Sequence, residues 1–146
     1  MIIRQAKLDD LEKLTPLLEE FCKESLNEYT GFFDTEHFSK LFLSYKDNTL
    51  LAEVDDKVVG MLSGLVVCSA INPEKLYQEV VWYVSKPYRK YGIKLIKALE
   101  DKCHKEGIRA IVMGAMQNSK AEALEKFYLK SGYKLFEKQY MKELGG

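Results

Sequence analysis

The chain has 146 residues, 47% of them hydrophobic and 12% aromatic, enough for one packed core and against intrinsic disorder. Its 22 Lys and Arg balance 22 Asp and Glu, which argues against a general binder of nucleic acid or of a membrane surface, while a local basic patch stays open. The longest apolar stretch, 58–71, is broken by Gly60, Ser63, Gly64 and Ser69 and is too short to span a bilayer; the start lacks the basic-then-apolar layout of a signal peptide.

No repeat, low-complexity tract or Pro/Gly/Ser linker divides the chain, so residues 1–146 read as one domain. A short strand is predicted over 2–6. Asp9 or Asp10 can then cap a helix whose Leu11, Leu14, Leu17, Leu18 and Phe21 keep the 3.6 period, with a kink expected at Pro16. Residues 27–34 read as a loop, and Thr35 caps a second helix to residue 43 with Phe38, Leu41 and Phe42 inward. Two strands, 49–54 and 57–68, form a hairpin turning at Asp55-Asp56. A strand over 76–84 is apolar on both sides near its end, as a central buried strand is.

A loop at 87–91 leads into the clearest helix, 92–106. There Leu95, Ile96, Leu99 and Cys103 form a stripe opposite lysines, and Gly107 is the stop. A strand over 108–115, a helix over 121–131 and a charge-alternating strand over 133–144 complete the order β-α-α-β-β-β-α-β-α-β. The fold class is mixed α/β, with the strand–helix–strand segment 80–112 setting two strands parallel.

Cys22, Cys68 and Cys103 are odd in number and widely spaced, so they read as small apolar fillers in a reducing cytoplasm rather than as a disulfide framework or zinc knuckle. With only His37 and His104 present, no metal site is expected.

Chemistry concentrates where the 76–84 strand gives way to the 92–106 helix. The first turn of a helix has free N–H groups and a partial positive charge suited to phosphate. Gly92 has no side chain to keep a phosphate away, and Arg89, Lys90 and Lys94 add cations. An ordinary solvated basic loop is the competing reading. Neither a GxxxxGK nor a GxGxxG turn is present.

Three segments together resemble the GNAT superfamily of acetyl-CoA-dependent N-acetyltransferases. Arg89-Lys90-Tyr91-Gly92-Ile93-Lys94 is similar to the family's pyrophosphate signature, in which Arg or Gln is followed three residues later by Gly and two further on by Gly or Ala; Lys94 departs from it. Lys126-Phe127-Tyr128-Leu129-Lys130-Ser131-Gly132-Tyr133 resembles the family's LYxKxGF helix end, and Ile2-Ile3-Arg4-Gln5-Ala6-Lys7-Leu8-Asp9-Asp10-Leu11 its IRxAxxxDL start. Glu79-Val80-Val81-Trp82-Tyr83-Val84 and the ending Tyr140-Met141-Lys142-Glu143-Leu144 resemble short viral and prophage members. The expected fold is then the GNAT one, a mostly antiparallel central sheet flanked by helices.

The resemblance implies acetyl transfer from acetyl-CoA to a primary amine of a small molecule or peptide by direct attack, with no acyl-enzyme and no metal. The pantetheine arm would lie beside Trp82, Tyr83 and Val84, and the diphosphate at Arg89, Lys90, Tyr91, Gly92, Ile93 and Lys94. Tyr128 matches the family's thiolate-protonating tyrosine, whose phenol is neutral at pH 7; the alternative is a core or surface aromatic on the helix stripe. The family's Asn seven residues before that tyrosine is Ala121 here, with Asn118 ten before it.

Glu79 is the best-placed carboxylate for a general base. Strict alternation puts Glu79, Val81 and Tyr83 on one face and Val80, Trp82 and Val84 on the other; a bulge of the kind the family carries would re-aim Glu79. A solvated charge or a relayed water are the alternatives. Tyr29, Phe32 and Phe33 are candidates for the acceptor wall or for the core. A homodimer through the final strand is compatible with the pattern. Two other functions stay open: a catalytically silent acetyl-CoA sensor, and a small nucleic-acid module using the basic stripe 86–105, whose affinity would fall steeply with salt.

Overall fold

The structure, a computed structural model, describes residues 1–25, 34–116 and 120–145. The chain gathers into two compact units, Met1–Gly114 and Ala115–Gly146. The first holds β1 (Ile2–Gln5), α1 (Leu11–Ser25), α2 (Thr35–Tyr45), β2 (Thr49–Val54), β3 (Lys57–Cys68), β4 (Lys75–Val84), α3 (Gly92–Lys105) and β5 (Ala110–Val112). Its five strands lie in the order β1-β2-β3-β4-β5. Neighbours are antiparallel from β1 to β4, and β5 runs parallel to β4 through the α3 crossover. This is the mixed α/β, mostly antiparallel sheet flanked by helices that the element order predicts.

Local chemistry sets the ends of these elements. Asp34, rather than Thr35, caps α2 by accepting the His37 N–H at 3.0 Å. Asp10 ends a 3-10 turn at Leu8–Asp10, where it takes the Lys7 N–H at 2.7 Å and binds Arg4 through both oxygens at 2.8 Å. α1 runs uninterrupted past Pro16. Asp55 and Asp56 have φ of 49° and 62°, the left-handed pair that a tight two-residue hairpin turn requires.

Each face of the sheet has its own apolar layer. Against α1 and α2 lie Leu51, Met61, Val81 and Tyr83, packed with Leu14, Leu17, Leu18, Phe21, Phe38 and Phe42. The opposite face carries Leu50, Leu62 and Trp82 in one row and Ala52, Gly60 and Val84 in the next. There α3 lays down Leu95, Ile96, Leu99 and Cys103, all buried. Burying each such side chain is worth ~1.5–3 kcal/mol.

The ladder between β3 and β4 carries an irregularity that decides where Glu79 points. Ser63 pairs with Val81 but Gly64 pairs with Glu79, so Val80 is an extra residue on β4. This bulge reverses the alternation at that point. Glu79 and Tyr77 therefore share the α3 face with Trp82 and Val84, while Val81 and Tyr83 face α1.

The second unit contains α4 (Ala121–Lys130), ended by Gly132 at φ 89°. The strand predicted over 133–144 does not form, and residues 133–145 carry no regular structure. Leu135 and Met141 fall on one parity, Phe136, Tyr140 and Leu144 on the other, and all five are exposed. A half-buried strand needs its apolar residues on one face, and this segment has no such face.

Candidate active site

The β4–β5 ladder ends at the pair Gln78 and Val112, and β4 continues to Val84. Where the strands part, the Gly114 N–H donates to Glu79 Oε1 at 3.2 Å. Glu79 is half-buried, and burial pushes its carboxyl up to about 7, against the opposing pull of the Gly114 N–H. A carboxyl poised there is divided between acid and base forms at neutral pH, the condition a general base needs.

At the far end of β4, the loop predicted over 87–91 is a 3-10 turn, Lys86–Tyr91, that continues directly into α3. No side chain caps the start of α3, and its first turn holds no acidic residue. Gly92 is buried over Trp82 and Val84, where a side chain would begin 3.4 Å from the Trp82 ring and 3.6 Å from Val84. Its missing side chain thus points at the sheet and lets the helix start settle on Trp82, a reason for glycine that the sequence does not show.

The cations around this turn divide into two groups. Lys90 and Lys94 hold their ammonium groups 5.2 and 5.7 Å from the centre of the Tyr91 ring, and Tyr91 stacks with Tyr88 at 6.3 Å. The Lys94 that departs from the motif is thereby folded onto an aromatic face beside the helix start. Ile93 is exposed next to it. Arg89 turns away. Its Nε donates to the Val84 carbonyl at 3.1 Å, and its Nη2 binds Glu24 in the last turn of α1. Of the three cations, Lys90 and Lys94 thus lie over Tyr91 at the helix start, while Arg89 is engaged by Val84 and Glu24.

Residues 15–133 match the acetyltransferase (GNAT) family. The chain belongs to that family. Solved GNAT-like structures share the fold over its whole length. A ribosomal-protein-alanine N-acetyltransferase from Brucella melitensis biovar Abortus 2308 superposes with a TM-score of 0.75 at 20% identity, covering 99% of this chain and 100% of the other. A possible acetyltransferase from Clostridium difficile 630 gives 0.73 at 24%, covering 99% and 98%. An aminoglycoside acetyltransferase from an uncultured soil metagenomic sample, in complex with trehalose, gives 0.75 at 22%, covering 99% and 96%. No protein of curated function matches the chain in sequence.

In this GNAT chain, then, Glu79, Trp82 and Val84 share one face of β4, and the 89–94 turn follows the end of that strand, with Gly92 against Trp82 and Val84. The Tyr83 side chain is not with them: it is buried on the α1 face, edge-on to Phe21 at 5.5 Å, and only its backbone lies on the stretch of β4 beyond the β5 ladder. Tyr128 lies in the second unit, buried, its ring 6.0 Å from that of Phe127 and 5.6 Å from that of Tyr133. Tyr29, Phe32, Phe33 and Asn118 lie outside the described residues.

Three participants escape sequence reading. Gly114 acts through its backbone and leaves no signal. Glu20 and Glu24, four apart on α1, could have been noticed as a pair of carboxylates on one helix face. Among the described residues, no group of three or more His, Cys, Asp or Glu could hold a metal ion, and no helix is long and apolar enough to cross a membrane. Cys68 is exposed, Cys22 half-buried and Cys103 buried; burial pushes the Cys103 thiol up to about 11.

Proposed function

We propose that the chain is a single N-acetyltransferase domain that moves an acetyl group from acetyl-CoA to a primary amine by direct attack. The observation that carries this is the pairing, along one strand face, of a carboxyl poised near neutrality at Glu79 with a helix start over Trp82 and Val84 that has no side-chain cap and no acidic residue. From Glu79 to Val84 the strand advances about 16 Å at ~3.3 Å per residue, a span that the extended pantetheine arm covers. The arm would lie along β4 beyond its last pair with β5, Gln78 and Val112, with the diphosphate at the start of α3, residues 91–94, near Lys90 and Lys94.

In this reading Glu79 takes the proton from the attacking amine as its nitrogen bonds to the thioester carbon. The carbon–sulfur bond then breaks, and Tyr128 supplies a proton to the departing thiolate. The acceptor is a small-molecule or peptide amine. Support for that class comes from the neighbours' own names, which specify a ribosomal-protein alanine and an aminoglycoside.

Thermal-shift measurements with acetyl-CoA and with adenine nucleotides test the coenzyme, since a ligand of the native state raises the midpoint by mass action. A shift with acetyl-CoA alone is expected. Thiol release with a panel of amines, lost in Tyr128→Phe, tests the transfer. Tight acetyl-CoA binding with no thiol release from any amine would replace the enzyme by a coenzyme sensor.

A further inference from the structure

Resting on the reading that acetyl-CoA seats its diphosphate at the start of α3, we propose that Glu24 is a positioning residue for the coenzyme: through Arg89 it fixes the 3-10 turn that presents the first amides of α3. The geometry is a chain of contacts from α1 to that turn. Glu24 Oε1 holds Arg89 Nη2, and the same guanidinium donates from Nε to the Val84 carbonyl at 3.1 Å. One planar fork thus clamps the last residue of β4 to the turn that comes after it.

The clamp is braced on the α1 side. The Tyr83 hydroxyl, with one proton to donate, sits between Glu24 Oε2 and Glu20 Oε1, the latter at 3.0 Å, and the Ser85 hydroxyl donates to Glu20 Oε2 at 3.1 Å. Arg89 also lies over the Tyr83 ring at 5.8 Å. Glu20 and Glu24 are both engaged here, so the turn cannot swing away from β4 without breaking contacts with α1. Ser85 N–H to the Val59 carbonyl and Tyr88 N–H to the Ser85 carbonyl, each 2.8 Å, fix the intervening backbone.

A rival role for Arg89 is direct contact with the phosphates, and Glu24 separates the two. If Arg89 reached the diphosphate itself, Glu24→Gln would release it and acetyl-CoA would bind as well or more tightly. If Glu24 positions the turn, Glu24→Gln weakens acetyl-CoA by about tenfold, the scale of one charged hydrogen bond. It would leave S-acetylpantetheine, which has the arm but no diphosphate, unchanged. Calorimetric titration of acetyl-CoA and NMR titration of S-acetylpantetheine, on wild type, Glu24→Gln, Arg89→Lys and the double variant, give the comparison.

The expected result is a loss confined to acetyl-CoA, with the double variant no weaker than the worse single one. Undiminished acetyl-CoA affinity in Glu24→Gln overturns the proposal, and so does an equal loss for both ligands, which marks general damage to the fold. A wild type blind to acetyl-CoA sinks the coenzyme reading and this proposal with it. Should Glu24→Gln fail to fold, Glu24→Asp, which keeps the charge but withdraws it by one methylene, gives the same readings.

Discussion

Gly64 stands directly opposite Glu79 across the β3–β4 ladder, one step past the pair Ser63 and Val81. The bulge that aims Glu79 at the α3 face closes only because residue 64 has no side chain. A Cβ there would sit 2.4 Å from the Gln78 carbonyl oxygen and 2.6 Å from the Tyr77 ring. Tyr77 cannot easily yield, being fully buried with its hydroxyl on the Asn48 carbonyl at 2.6 Å. Gly64→Ala is therefore expected to cost about 1–3 kcal/mol, the scale of an overpacked core. Urea unfolding checks it, and an unchanged midpoint would mean that the strands part freely at this point.

Glu79 gives a pH signature in two measurements. Its folded carboxyl titrates near 7, above its ordinary range, so the native state holds that proton more tightly than the unfolded chain. Stability contributed by the proton is present at low pH and is lost as pH rises toward 7. Glu79→Gln should remove that decline from a thermal-midpoint profile. In turnover, the base form grows as pH rises through 7, so wild-type kcat/KM should climb there. Glu79→Gln should be slowed most above pH 7, with the limb flattened. A limb that survives unchanged belongs to the amine and retires Glu79 as the base.

At the edge of the sheet, Arg4 binds Asp10 twice at 2.8 Å and Glu53 at 2.7 Å, with the Asp10 side chain 3% exposed. The Arg4 guanidinium, more than the Lys7 N–H, holds the Asp10 carboxyl below its usual range despite burial. Its contribution is thus present above about pH 4 and is lost as pH falls through the depressed value. Asp10→Asn should destabilise by about 2 kcal/mol at neutral pH, within the ~1.5–3 kcal/mol of charged hydrogen bonds. The gap to wild type should narrow in acid. A gap independent of pH would assign the loss to packing.

Lys94 should strengthen coenzyme binding rather than obstruct it, because its ammonium rests on Tyr91 beside the helix start. Removing an exposed cation of this kind is worth ~0.2–1 kcal/mol. Lys94→Ala should therefore weaken acetyl-CoA by up to about fivefold at low salt, and the difference should fade as salt screens the charge. Equal affinity at every ionic strength would leave Lys94 as a partner of Tyr91 alone.

Legibility in the sequence tracked how local each signal is. The Asp55-Asp56 hairpin, the α3 stripe and the Gly107 stop are set by neighbours in the chain, and the structure has all three. The bulge at Val80 depends on how β3 and β4 meet, so alternation alone put Glu79 on the wrong face. Glu20 and Glu24 look like a solvated helix face until Tyr83, Ser85 and Arg89 arrive from about sixty residues away. The 133–144 segment had the alternation of a strand without an apolar side, and pattern without burial made no ladder.

The open position of Cys68 at the end of β3, set against the buried thiol of Cys103, makes the protein ready for optical work without redesign. A maleimide dye should attach at Cys68 first, with Cys22 reacting more slowly from its half-covered place on α1. A fluorophore there would sit on the strand beside the one that carries Glu79 and could report, in real time, whether the β3–β4 pair flexes when a thioester arrives.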